Sequence, residues 1–180
     1  MRTLPIAVTA LAATLTLTLT ACDDGGDKKE TGGGKGGAPT ACTADGLGQE
    51  VVASEAPAAG DTGTVSVTLT NGSGADCTLE GFPSVVLKAD AGADGLSVAP
   101  QESAKPEKLT VKRDETAGFT ITYVRGPAGD ATKSVAVKTV TFGLPGADAE
   151  KSFPWKYGEV ALRSETEPDA SVTPLQRTGD

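Results

Sequence analysis

The chain has 180 residues and contains no histidine; its only methionine is Met1. Cysteine is limited to three positions and aromatic residues to 4%. Without histidine there is no His-based Ser or Cys triad, no histidine zinc site and no blue-copper site. Positive charge is the minority, with 16 Lys and Arg against 24 Asp and Glu, for a net charge of −8 and a pI near 4.6. A nucleic-acid binder needs a basic face, typically a domain pI above ~9, so no nucleic-acid partner is expected. Anionic headgroups also repel an acidic surface, so any membrane association must rest on something other than charge. Pro and Gly, at 11 and 23 residues, stay below the ~25–30% share typical of low-complexity chains. Much of the chain is therefore expected to fold.

The one long uncharged stretch is at the start. Met1-Arg2-Thr3 is a short basic n-region, and Leu4 to Thr18 is apolar and uncharged. Thr interrupts it, and it falls short of the ~20 apolar residues a span needs. It has the layout of a secretory signal peptide. Leu19-Thr20-Ala21-Cys22, followed by Asp23-Asp24, resembles the bacterial lipobox. That resemblance implies cleavage before Cys22, diacylglycerol on its thiol and a lipid-anchored mature N-terminus. Each buried CH₂ contributes about 0.8 kcal/mol, so two or three acyl chains hold where one does not. The expected location is the outer side of the cytoplasmic membrane.

Residues 22–41 read as the lipidated cysteine and a flexible tether. Gly25-Gly26, Gly32-Gly33-Gly34 and Gly36-Gly37 alternate with Lys28, Lys29 and Glu30, and no aliphatic residue is larger than Ala. Such a segment cannot bury enough apolar area to offset its ordering entropy. The folded domain is expected over residues 42–176, with a short disordered tail at 177–180. Its aliphatic content is thin, so a covalent staple would help. With Cys22 lipidated, Cys42 and Cys77 remain in an oxidising compartment. Pairing them closes a loop of about 36 residues, worth about 3.8 kcal/mol by chain entropy. The alternatives are two free thiols or a metal pair, and two cysteines without histidine are too few ligands for a metal.

Within the domain the pattern is all-β. Thr64 to Thr70 alternates strictly, with Val65, Val67 and Leu69 on one face. Asn71-Gly72-Ser73-Gly74 then breaks the run as an Asn-capped turn, although Asn71-Gly72-Ser73 also matches a glycosylation acceptor formally. Ser84 to Lys88 and Leu109 to Val111 read as short strands, and Ala117, Phe119, Ile121 and Tyr123 share the face of a longer one. Val135 and Val137 are out of phase with Val140 and Phe142, so a β-bulge is predicted near Lys138-Thr139. Gly158 to Arg163 is a further strand, with Val160 and Leu162 inward. Short strands separated by turn signals predict a two-sheet sandwich.

Cys42, a strand ending in Thr70-Asn71, then Cys77-Thr78-Leu79-Glu80-Gly81-Phe82-Pro83 and a run of valines resembles domain of unknown function 4232. The resemblance reaches the Trp155 region and the Ser171-Val172-Thr173-Pro174 tail, about residues 42–176. It implies an immunoglobulin-like sandwich with a Cys42–Cys77 disulfide. It implies no activity, cofactor or catalytic residue.

Gly81-Phe82-Pro83 reads as a loop whose Phe82 plugs the end of the sandwich, with an aromatic binding edge as the alternative. Phe153-Pro154-Trp155-Lys156-Tyr157 is the densest aromatic cluster. In an extended strand Trp155 and Tyr157 share a face. Turned inward they plug the core; turned outward they are a candidate binding patch. Asp90 to Gly95 hints at a calcium loop, but Gly92 stands where an oxygen ligand is needed and Gln101 where the bidentate Glu is needed, so a solvated turn is expected and no metal site. Lys105, Lys108, Lys112 and Arg113 read as a sheet edge guarded by lysines. No Ser-x-x-Lys pair is present.

The sequence therefore predicts a non-enzymatic envelope lipoprotein without a cofactor, whose sandwich binds an envelope protein or polymer. The alternative is an envelope glycan hydrolase with two carboxylates about 5–9.5 Å apart. Replacing Cys22→Ser is expected to release the protein from the membrane fraction or to block its processing. Incorporation of labelled lipid in the producing cells checks this, and a Cys22 that never takes up lipid refutes the anchor.

Overall fold

The computed structural model describes residues 38–89 and 94–178, and among these there are strands, turns and bends but no helix. The strands are β1 (Thr40–Ala41), β2 (Leu47–Ala53), β3 (Thr62–Asn71), β4 (Cys77–Leu79), β5 (Ser84–Lys88), β6 (Leu96–Ser97), β7 (Ala99–Pro100), β8 (Leu109–Val111), β9 (Thr116–Val124), β10 (Ser134–Val135), β11 (Thr139–Gly143), β12 (Glu150–Pro154), β13 (Val160–Ser164), β14 (Glu167–Pro168), β15 (Ala170–Val172) and β16 (Gln176–Arg177).

The alternating runs make the centre of the larger sheet. β3 pairs antiparallel with β9 from Thr62↔Val124 to Thr70↔Thr116. This register sets Val65, Val67 and Leu69 beside Ile121, Phe119 and Ala117 on the buried face, while the intervening Thr and Ser face outward. β2 flanks β3, and β15 and β7 follow on the far side of β9, which also pairs β16. A four-stranded sheet, β12-β11-β5-β6, supplies the opposing layer. Phe119 of the first sheet meets Phe142 of the second edge-on, with ring centroids 5.1 Å apart. Val85, Leu87, Val140 and Phe153 complete that side of the core. Two three-stranded sheets, β1-β4-β8 and β10-β13-β14, close the corners. The all-β sandwich expected from the alternation is thus the observed architecture.

Several local expectations differ. The phase change before Thr139 is not a bulge. β10 pairs β13, whereas β11 pairs β5 and β12, so Val135 and Val140 belong to different sheets. Val137 N donates to Val135 O at 3.0 Å in a tight turn, and Lys138 N already donates to Lys88 O. An irregularity does occur farther on, between Leu162 and Ser164 of β13. There Val160 is buried but Leu162 is only half-buried. β2 carried too short a hydrophobic run to stand out in the sequence. Phe82 is half-buried and stays outside the core, and Pro83 is the buried residue of that loop. Regular pairing also begins at Thr40, before Cys42, and continues to Arg177, inside the expected tail. Residues 1–37, including Cys22, and 90–93 of the calcium-like loop lie outside the described residues.

One corner ties these layers together. Cys42 and Cys77 form a disulfide with Cα atoms 4.9 Å apart, which holds the short β1 against β4. Beside it Asn71 is fully buried. Its Nδ2 donates to Ala75 O at 2.8 Å and to Val111 O at 2.9 Å. Its Oδ1 accepts from Ser73 N and Ser73 Oγ, and its own N and O bond Glu115 O and Asp114 N. The amide thus spends its donors and acceptors on β8 and on the turn that follows β3. A turn residue so enclosed is not available as a glycan acceptor. Asn71→Ala strands the buried Val111 carbonyl and is expected to cost about 1–3 kcal/mol. Asn71→Asp should be worse at neutral pH, because a carboxylate would face two carbonyls and its folded-state pKa would rise. That extra penalty is full above the raised folded-state pKa and is relieved as pH falls from there to the unfolded carboxylate pKa. Chemical denaturation of both variants at pH 7 and below 4 checks the order.

Candidate functional site

β9 ends in Tyr123-Val124, with Arg125 just beyond, and its last inward ring organises one end of the sandwich. Tyr123 lies across Gly63, where a Cβ would sit 2.7 Å from two ring carbons, so only glycine fits beneath it. The ring meets Trp155 edge-on at 4.9 Å, and Trp155 in turn meets Tyr157 edge-on at 4.9 Å. Tyr123 Oη donates to Tyr157 O at 2.8 Å, and Trp155 Nε1 donates to Gly158 O at 2.7 Å. Burial pushes the Tyr123 phenol above its ordinary pKa, with Arg125 pulling the other way.

This arrangement alters the expected platform. β12 stops at Pro154, and residues 155–158 turn instead of extending, with Gly158 at a φ of +85°. Trp155 is only 6% exposed and belongs to the core; Tyr157 packs against it half-buried, at the rim. The two side chains therefore do not form one outward face. Tyr157 alone is presented, on a support of buried rings.

Arg125, Ser134 and Glu159 adjoin this stack, and no motif marked them in the sequence. Arg125 Nη1 donates to Pro57 O, and Arg125 N to Asp61 O at 2.9 Å. Its guanidinium runs so close to Gly158 that a Cβ there would lie 2.6 Å from Nε. Glu159 accepts from Ser134 Oγ at 2.6 Å and from Gly129 N at 2.9 Å. Ser134, 3% exposed, also lies 2.7 Å from Pro127 O and 3.0 Å from Asp130 O. The loops before β3, after β9 and after β12 are thereby fastened to one another. The recognisable signal in the sequence was only the aromatic cluster, because the polar contacts come from segments far apart in the chain.

The three carboxylates with displaced pKa values, Glu115, Asp130 and Glu159, are all displaced downward. The general acid of a glycosidase is held protonated, so its pKa must rise. The Ser134 hydroxyl, then the Gly129 N–H and the charge of Arg125, hold Glu159 below the ordinary carboxylate range. Asp130 is lowered chiefly by the Thr132 hydroxyl, and Glu115 chiefly by the Lys112 N–H and by Arg177. Among the described residues no group of three or more Cys, Asp or Glu is placed to hold a metal ion. The basic cluster is partly neutralised, with Lys112 3.8 Å from Glu115 and Arg113 3.8 Å from Asp114. A shallow groove of about 420 Å³ between Lys105, Glu107, Leu109, Pro174 and Arg177 lies beside that cluster.

These features define a two-layer, disulfide-closed β-sandwich with a braced loop end. The chain belongs to the DUF4232 family, a domain of unknown function, whose model matches residues 42–176. Neither a curated protein nor a solved structure matches it significantly.

Ser134→Ala removes the largest cause of the low Glu159 pKa, so the Glu159 titration should move up towards the ordinary range. A lowered folded pKa stabilises above the unfolded pKa, and that contribution is lost as pH falls through the folded pKa. The stability gap between wild type and variant should therefore be largest at neutral pH and narrow in acid, leaving the part owed to the Pro127 and Asp130 carbonyls. NMR titration of the Glu159 carboxyl and melting curves from pH 7 down to 3 read both effects.

Proposed function

We propose that the protein is a lipid-anchored envelope protein whose sandwich works as a binding module for an envelope protein or polymer. The Leu19-Thr20-Ala21-Cys22 sequence supports the anchor, and the Cys42–Cys77 disulfide fits an oxidising compartment outside the cytoplasm. The observation that carries the binding role is Tyr157. It is a half-buried ring held edge-on by Trp155, with its backbone carbonyl pinned by Tyr123 Oη. An aromatic side chain that is already ordered loses little freedom on binding, and contact energy concentrates in such anchors. Arg125 and Glu159 stand beside it as polar rim groups.

The test is Tyr157→Ala in the producing cells, with envelope crosslinking and thermal stability measured in parallel. The binding reading expects loss of crosslinked partners while the variant stays folded. A fall in stability with an unchanged set of partners would falsify it.

A further inference from the structure

β2 ends the larger sheet, and among the described residues no strand lies beyond it. It differs from every other sheet edge. β1, β6, β7, β10 and β14 have two residues each, and β7 and β14 contain Pro100 and Pro168. β12 has Lys151 and Pro154. β8 is three residues long between Lys108 and Lys112, and Arg177 Nη2 donates to its Thr110 carbonyl. β2 has seven residues with no Lys, Arg or Pro. Sheet edges are normally blunted by shortness, lysine or proline, because an open edge recruits another strand.

The hydrogen-bond phase shows what this edge offers. Arg125 N donates to Asp61 O and Asn71 N to Glu115 O, so odd-numbered residues of β3 bond towards β9. Even-numbered residues therefore bond β2, through Thr70↔Gly48, Thr68↔Glu50 and Ser66↔Val52. In β2 it is Gln49, Val51 and Ala53 whose backbone groups point to the open side. Their side chains face inward, where Val51 and Ala53 are half-buried against the core. Val52 faces outward and is 56% exposed, the only large hydrophobic residue so exposed among those described.

We propose that β2 pairs antiparallel with β2 of a second copy of this chain, about a two-fold axis at Val52. In this register Val51 exchanges backbone bonds with Ala53 of the other copy, and the reverse. The two Val52 side chains then meet as a non-hydrogen-bonded pair, with Cα atoms about 4.5 Å apart. Apolar groups match on both faces of the new strand pair. Glu50 falls opposite Ser54 and clear of the second Glu50; sliding the register to centre on Glu50 would oppose the two carboxylates. One sequence thus satisfies both sides of the junction, which is why a second copy fits this edge. The pairing is independent of the Tyr157 surface.

The experiment uses the full chain in mild detergent, with Cys22→Ser so that no other thiol is free. Val52→Cys should crosslink on oxidation and yield a peptide joining position 52 to itself, whereas Glu50→Cys should not. Sedimentation should show dimers of the wild-type chain at about 100 μM. Val52→Lys puts like charges opposite each other and should weaken the dimer about tenfold or more, while Glu50→Lys leaves it intact. Because Val52 is exposed, its variants should melt as the wild type does. A wild-type chain that stays monomeric overturns the proposal. So does a dimer that Val52→Lys leaves unchanged, or a position-50 crosslink as efficient as that at position 52.

Discussion

A buried primary amide cannot be left half-bonded, and the organisation of this domain follows from where Asn71 finds its partners. Its side chain reaches Ala75 and Val111, and its backbone bonds Asp114 and Glu115. The end of β3, the turn to β4, the edge strand β8 and the entry to β9 are therefore fixed by one residue. The disulfide lies against the same corner, since Cys77 is paired with Val111 in the ladder. It holds β1, which has only Thr40↔Cys77 and Ala41↔Thr78 as ladder pairs. The disulfide and the Asn71 network thus hold one end, the Arg125 and Ser134–Glu159 contacts hold the other, and apolar packing carries the middle.

The opposite role falls to the aromatic stack. Tyr123, Trp155 and Tyr157 form a continuous edge-to-face series from the core to the rim. The series depends on two glycines, one to admit the Tyr123 ring and one to let Arg125 pass. Its consequence is a rim loop whose Tyr157 and Gly158 carbonyls are both held by side-chain donors from the stack. The hydroxyl of Ser134 and the carboxylate of Glu159 tie that loop to the one after β9. A carboxylate held ionised by hydroxyl and amide donors is suited to fastening loops together, and poorly suited to delivering a proton.

The strict period of Thr64 to Thr70 and of Ala117 to Tyr123 made the central pair of strands legible, because alternation at period two reports directly which side chains are buried. The two domain cysteines were legible by count. The Asn71 turn was legible as a turn, from its glycines, but not as a buried hub, because Val111 lies 40 residues away. The run from Val135 to Phe142 shows the limit. A phase change in one sequence looks the same whether a strand bulges or the chain leaves one sheet for another, and only the partners β13 and β5 distinguish the two.

The sequence by itself therefore determined composition-level facts: an acidic, histidine-free chain with three cysteines, and a β domain that contains two of them. Local periodicity and residue inventory suffice for these. Tertiary structure decided that Trp155 is core while Tyr157 is rim. The strand ends at Pro154, and a turn then separates two residues that alternation would have kept together. It also decided that β2 is the one long unguarded edge among the described residues. An edge is defined by what does not pair beside it, and a sequence records the strand without recording its neighbours.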